Sequence, residues 1–269
     1  MSIGRRRLDS ALVARGLVLS RSRARALIMA GKVRVAGQVA TKPAALVGDD
    51  CFIELEAPPP FVSRGGEKLD AALEASGISA EGRVCIDVGA STGGFTDCLL
   101  QRGAARVIAI DVGYGQLDYR LRNDPRVSVL ERLNARYLNA EDMPADVPEP
   151  DLMVMDLAFI SVAKVLPAAG TVCATACDAL VLVKPQFECG PEQVGGGGIV
   201  NSAAVRRETL LAVGSAASGL GWTVCRAIAS PIRGQSGNWE CFLQLRRPPP
   251  PGEFASLQEI VDAIDVPEG

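Results

Sequence analysis

Five runs of four to six largely apolar residues, at 84–88, 106–111, 127–130, 152–156 and 180–184, recur along the chain with helix-length segments between them. Runs this short, without polar alternation, predict strands buried on both faces, and such strands belong to parallel sheets covered by helices on either side. Runs at 222–229 and 239–245 complete seven strands, the last two as a closing hairpin. The expected class is α/β, with a doubly wound sheet filling residues 61–247. Nearly half of the 269 residues are hydrophobic and 22% are charged, enough for a large core without disulfides or metals.

Ahead of this region the chain changes character. Residues 1–48 hold ten Lys or Arg and one acid, Asp9, so this stretch carries +9 and the remainder −12 within a net charge of −3. Cations clustered on a compact unit are the footprint of a polyanion partner. Arg5, Arg6, Arg7, Arg15, Arg21, Arg23, Arg25, Lys32 and Arg34 are the candidate phosphate contacts, with a solvated basic face as the alternative. Leu8, Leu12 and Val13, then Ala24, Leu27 and Ile28, recur at helical spacing. They predict two short helices, the first ending at Gly16, the second capped by Ser20 or Ser22 and stopped at Gly31. The alternation at 32–35 and the turn Ala36-Gly37 predict a small β element. Proline runs at 58–60 and 248–251 mark boundaries. The expected parts are a small α+β polyanion-binding domain with its linker (1–60), the sheet domain (61–247), and a proline-rich turn with a tail helix (248–269). In that helix Phe254, Leu257, Val261 and Ile264 would pack on the body.

Several function classes are disfavoured. No uninterrupted apolar run of about 18 residues exists, so no stable membrane association is expected. The eight cysteines lack the paired spacing of a zinc or redox site, and no metal is expected. With no secretory signal at the start, they imply a reducing cytoplasm. Histidine is absent, so proton transfer must rest on Lys, Asp, Glu, Tyr or Cys.

The segment Asp87-Val88-Gly89-Ala90-Ser91-Thr92-Gly93-Gly94-Phe95 follows the first predicted strand and opens a helix. A dinucleotide fingerprint requires a glycine where Ser91 stands, which disfavours a dehydrogenase. The segment instead resembles the first motif of Rossmann-like methyltransferases, whose loop cradles a methionine moiety. Asp111 ends the next strand about 20 residues on, where an acid can hold ribose hydroxyls. Asn134 either binds adenine or serves a turn, and Tyr114 and Phe159 either flank the cofactor or pack in the core. The cofactor implied is S-adenosyl-L-methionine.

Open α/β sheets gather chemistry at the carboxyl ends of their strands. Asp156 and Lys184 end the fourth and fifth predicted strands, Glu240 begins the antiparallel last one at the same edge, and Lys68 lies on the helix before the first strand. Taken singly, each also reads as a surface charge or cap. Together, Lys68, Asp156, Lys184 and Glu240 resemble the Lys-Asp-Lys-Glu tetrad of FtsJ-like 2'-O-methyltransferases. That resemblance implies Lys184 as the group that takes or directs a hydroxyl proton, Asp156 positioning it, Lys68 steadying the ribose, and Glu240 orienting a lysine.

Arg7-Leu8-Asp9, Arg15-Gly16-Leu17 and 20–37 resemble an S4-type RNA-binding domain. Ser63-Arg64-Gly65-Gly66-Glu67-Lys68, 111–117, 122–127, Asp156-Leu157-Ala158-Phe159, Val183-Lys184-Pro185-Gln186-Phe187-Glu188 and Ser236-Gly237-Asn238-Trp239-Glu240 are similar to the TlyA family. The resemblance implies cytidine 2'-O-methylation of ribosomal RNA in one or both subunits, and it also carries the label hemolysin. Ala158 departs from the serine of that pattern. A membrane-lysing protein and a non-catalytic RNA-binding protein are the competing readings. Gly195 to Gly198 read as a mobile loop, either a lid or a plain connection.

Overall fold

A computed structural model describes residues 5–56, 59–249, 251–252 and 254–268; Pro58 and Pro250 of the two proline runs lie outside the described residues. The chain forms two compact units, Met1–Pro59 and Pro60–Gly269.

In the first unit, β1 (Arg5–Arg7) leads into α1 (Leu8–Ala14), followed by α2 (Arg21–Met29), β2 (Val33–Val35), β3 (Gln38–Val39), β4 (Leu46–Gly48) and β5 (Ile53–Leu55). Ser20 caps α2, its hydroxyl accepting the Arg23 amide, and Gly16 and Gly31 take the left-handed backbone at the helix ends. Leu8, Leu12, Ala24 and Ile28 bury their stripes against Val33, Val47 and Ile53. The basic triplet Arg5–Arg7 is a strand, pairing antiparallel with β4, and β5 pairs with β2. Neither pairing follows from local spacing.

The second unit runs α3 (Arg64–Ser76), β6 (Val84–Val88), α4 (Gly94–Gln101), β7 (Arg106–Asp111), α5 (Tyr119–Arg122), β8 (Val127–Glu131), β9 (Leu152–Met155), α6 (Val162–Thr171), β10 (Cys177–Val183), α7 (Pro185–Glu188), α8 (Ala203–Gly219), β11 (Thr223–Ala229), β12 (Cys241–Arg247) and α9 (Leu257–Asp262). The sheet order is β11-β12-β10-β9-β6-β7-β8, parallel except for β12, which runs antiparallel to both neighbours. α3 and α4 cover one face around Leu69, Leu73, Leu99 and Phe242. On the other, α6, α8 and α9 enclose Met153, Val181, Leu210 and Leu243.

Register decides what meets at the sheet edge. Val88 pairs with both Ile110 and Met155, and Val183 pairs with Cys241. The residues one step beyond, Gly89, Asp111, Asp156 and Lys184, and Glu240 one step before β12, therefore leave the sheet along one rim. In the tail helix, Val261 is buried and Leu257, Ile260 and Ile264 are partly buried against the core, whereas Phe254 is 41% exposed and does not pack as expected. Gly214 on α8 lets α9 close: a Cβ there would come within 2.5 Å of the Leu257 side chain. No helix among the described residues is long and apolar enough to cross a membrane.

Candidate active site

α3 reaches the rim because glycines remove the obstacles. Its cap Ser63 accepts the Gly65 amide, and a Cβ on Gly94, at the start of α4, would meet the Ser63 hydroxyl at 2.2 Å. A Cβ on Gly66 would strike the Phe61 ring at 2.2 Å. The two helices can thus touch near their N-termini, which turns Lys68 toward the start of β12. Its ammonium donates to Glu240 at 2.5 Å, with both side chains buried.

Lys184 and Asp156, on adjacent strands, form a second ion pair at 2.5 Å. The ammonium is close to Asp156 Oδ1 but lies outside hydrogen-bonding alignment, so that buried oxygen has no hydrogen-bond partner among the described residues. Both pairs line one cavity of about 250 Å³, together with Gly89 to Thr92, Gly94 and Phe95. Arg64 and Gln235 line it too. Neither stood out in the sequence, although each lies in or beside a segment that carries the family resemblance.

A second cavity, of about 340 Å³, lies on the other side of Asp156, bounded by Asp111, Leu133, Asn134, Leu157 and Phe159. Ligand pockets run from roughly 300 to 1,000 Å³. Gly89, Ser91 and Asp156 border both cavities. Gly89 has φ +90°, and a Cβ there would lie 2.3 Å from the Asp156 carbonyl, so the loop's approach to β9 excludes any side chain. Gly93, at φ +95°, serves packing instead: its Cβ position is 2.3 Å from Leu121. Ser91 holds a left-handed backbone at φ +49°, and its amide donates to Asp111 Oδ2 at 2.7 Å while Gly113 donates to Oδ1 at 2.6 Å. Asp111 is thereby fixed at the cavity wall with further lone pairs free.

Beneath the loop, Asp87 is fully buried. Thr96 donates to its Oδ2 at 2.7 Å, and Oδ1 has no partner among the described residues. Burial above all, reinforced by the negative charges of Asp156 and Asp111 and opposed by the Thr96 hydrogen bonds, pushes this carboxyl up to about 7.

Asn134 caps the turn at Ala135–Tyr137, its side chain accepting the Arg136 amide, and it also lines the second cavity. The aromatics are not core residues. Phe159 is 90% exposed, at φ +64°, and meets Phe187 ring to ring at 5.2 Å on the cavity rim. Tyr114 is 68% exposed and lies under the Arg132 guanidinium at 4.1 Å, away from the linings of both cavities. The loop at Gly195 to Gly198 is pinned: Asn238, buried, donates to the Gly198 carbonyl at 2.8 Å and accepts the Val200 amide at 3.0 Å.

In the basic unit the candidate contacts divide. Arg7, Arg21 and Arg25 all bind the buried Asp9. Arg15 commits its guanidinium to the carbonyls of Gly48, Asp49 and Cys51, so its first role is to close that loop. Lys32 pairs with Glu56 at 2.6 Å, and Arg34 donates to the Gly37 carbonyl. Arg5, Arg6 and Arg23 are exposed.

A mostly parallel sheet in this order, with a glycine loop after its first strand and charged residues along the carboxyl rim, defines a Rossmann-like methyltransferase fold. The FtsJ-like methyltransferase family model matches residues 61–247, and the S4 domain model matches residues 6–50. A Mycobacterium tuberculosis protein named 16S/23S rRNA (cytidine-2'-O)-methyltransferase TlyA is 52% identical, over 90% of each chain. Hemolysin A of Brachyspira hyodysenteriae is 41% identical over 87% of this chain and 97% of its own. A solved structure from Streptococcus thermophilus that carries a hemolysin label is 36% identical, with a TM-score of 0.71 and 97% and 96% of the two chains covered. The chain belongs to the TlyA family of FtsJ-like methyltransferases.

Proposed function

We propose that the chain transfers a methyl group from S-adenosyl-L-methionine to the 2'-hydroxyl of a cytidine ribose in ribosomal RNA, acting in the cytoplasm on ribosomal subunits. One observation carries this reading: two lysine–carboxylate pairs, Lys68–Glu240 and Lys184–Asp156, face one cavity that the glycine loop also lines. The names of the relatives support the cytidine and the ribosomal RNA, the S4 domain supports RNA docking, and eight free cysteines suit a reducing compartment.

The residues fit the cofactor. The cavity bounded by Asp111, Asn134 and Phe159 suits an adenosine, Asp111 retaining acceptors for ribose hydroxyls. Gly89 lets a ligand approach the backbone, and the unpartnered Asp87 Oδ1 gives the loop a buried acceptor beneath the methionine end. When bound, the cofactor supplies a methyl carbon already activated by a positive sulfur.

The chain must then orient and deprotonate a weakly acidic hydroxyl. Lys184 takes the proton at Nζ, for which it must be neutral at transfer. Lys68, on the same cavity, holds the ribose by hydrogen bonding. Asp156, bordering both cavities, keeps Lys184 on the line between acceptor oxygen and donor. Glu240 holds Lys68, and the two charges neutralise one another in a buried place.

The test is transfer of labelled methyl from S-adenosylmethionine to ribosomal subunits lacking the modification. Label at a cytidine 2'-oxygen is expected, with a loss of about 100-fold or more in Lys184→Ala. No label in RNA would overturn the function, and undiminished transfer by the variant would overturn the role of Lys184.

A further inference from the structure

Asp9 is the single acid among ten cations in the first 48 residues, and counted as charge it weakens a polyanion site. Its surroundings argue the reverse. It lies in the first turn of α1 with its side chain fully buried. Its Oδ1 accepts from Arg7 Nε at 3.1 Å, and its Oδ2 accepts from Arg7 Nη2 at 3.0 Å, Arg21 Nη2 at 3.2 Å and Arg25 Nε at 3.1 Å. The Ser10 hydroxyl also donates to Oδ1, at 3.2 Å. These arginines come from three places: the end of β1, the first residue of α2, and one turn along α2 on the same face.

Three guanidiniums repel one another, and one carboxylate at their centre both neutralises part of that repulsion and fixes their directions. The arginine side chains stay about half exposed, at 42%, 54% and 54%. Their outer donors, Nη1 of Arg7, Nε and Nη1 of Arg21, and both Nη of Arg25, have no protein partner among the described residues. The cluster keeps a net charge of +2 and offers donors in a fixed fan. A monoanion with several acceptor oxygens fits that fan, and in RNA this is the backbone phosphodiester.

We propose that Asp9 is a positioning residue that builds a phosphodiester seat from Arg7, Arg21 and Arg25. The inference rests on the reading of this unit as the RNA dock. Ordering the arginines before RNA arrives removes an entropic cost that free side chains would meet on binding.

The test uses the full chain, a fluorescein-labelled folded ribosomal RNA fragment, and anisotropy at several salt concentrations, with melting curves of each variant. Asp9→Asn adds one unit of positive charge, so charge counting alone expects tighter binding. The seat expects binding about tenfold weaker. The slope of log affinity against log salt should also be smaller by about one. Arg25→Lys keeps the charge and loses the fork. It should weaken binding similarly, while Lys42→Arg, at an exposed cation of the same unit outside the seat and outside the candidate contacts, should bind as wild type. Should Asp9→Asn fail to fold, the contrast between Arg25→Lys and Lys42→Arg decides between the seat and charge counting. Wild-type binding with Asp9→Asn or Arg25→Lys equal or tighter would overturn the seat alone. A wild type that binds no RNA would overturn the docking reading itself.

Discussion

Lys68 and Glu240 are 172 residues apart in sequence and 2.5 Å apart in space, each buried against the other. The contact ties the helix before the first strand to the last strand of the sheet, so the lysine proposed to hold the ribose is itself held by a buried ion pair. Removing one partner of a buried pair typically costs about 3–5 kcal/mol because a charge is left unpaired. Glu240→Ala is therefore expected to lose stability on that scale in urea and to lose methyl transfer. Lys68→Met with Glu240→Met should recover much of the stability and none of the activity. A double variant as unstable as the sum of the singles would show that the pair is not coupled.

Asp87 predicts how stability varies with pH. Its carboxyl titrates near 7 in the folded chain, raised from its ordinary value of 3.8 chiefly by burial. Between those limits the unfolded chain is ionised while the folded one keeps its proton, so the folded state binds more protons. The unfolding free energy must then fall as pH rises from about 4 to about 7, at up to about 1.4 kcal/mol per unit, and level off above. Asp87→Asn removes this penalty and can still accept from Thr96. Its stability relative to wild type is expected to rise from pH 5 to pH 8 in parallel denaturant titrations. A pH-independent difference would remove Asp87 as the titrating group.

Two of the three left-handed residues in the glycine loop, Gly89 and Ser91, carry opposite expectations. Gly89→Ala would drive a Cβ to 2.3 Å from the Asp156 carbonyl, so the loop must shift. Affinity for S-adenosylhomocysteine, measured calorimetrically, should fall by about tenfold or more, together with stability. Ser91→Gly relieves a left-handed serine at φ +49° and keeps the amide that donates to Asp111. It should be neutral or stabilising within about 1 kcal/mol, with affinity retained. Equal damage by both changes would mean that the loop tolerates no alteration, whatever the contact.

The sheet is legible in the sequence because each strand is a local apolar run, and helix-length segments between the runs make the strands parallel. The rim charges are legible because register places residues next to strand ends together. What the sequence hides depends on contacts between distant segments. The triplet Arg5–Arg7 reads as a basic arm, yet its backbone pairs with Leu46–Gly48, and three-residue strands have no period to detect. Arg15 reads as a phosphate contact until three carbonyls some 33 to 36 residues away claim its guanidinium. Arg206 sits in α8 where a charge reads as surface, but it is buried and donates to the carbonyls of Val200 and Pro267. Tyr114 reads as a cofactor neighbour or a core residue, and its exposure under Arg132 removes the second of these.

Arg206 and Asn238 together grip one residue beside the rim: Asn238 accepts the Val200 amide, and Arg206 donates to the Val200 carbonyl. Asn238 also shapes the turn that reaches Glu240. Its carbonyl accepts the Gly234 amide at 2.9 Å, and a Cβ on Gly234 would lie 2.3 Å from Glu240 Oε1. Asn238→Ala leaves the Val200 amide and the Gly198 carbonyl without their partner, a loss of about 1–3 kcal/mol. Because the turn backs Glu240 and not the second cavity, turnover should fall by about tenfold while S-adenosylhomocysteine affinity is unchanged. Asn238→Asp keeps the acceptor for Val200 and loses the donor to Gly198, so its turnover should fall between those of Asn238→Ala and the wild type. A fall in turnover matched by an equal fall in cofactor affinity would mean that the turn supports the domain as a whole and not the Glu240–Lys68 pair.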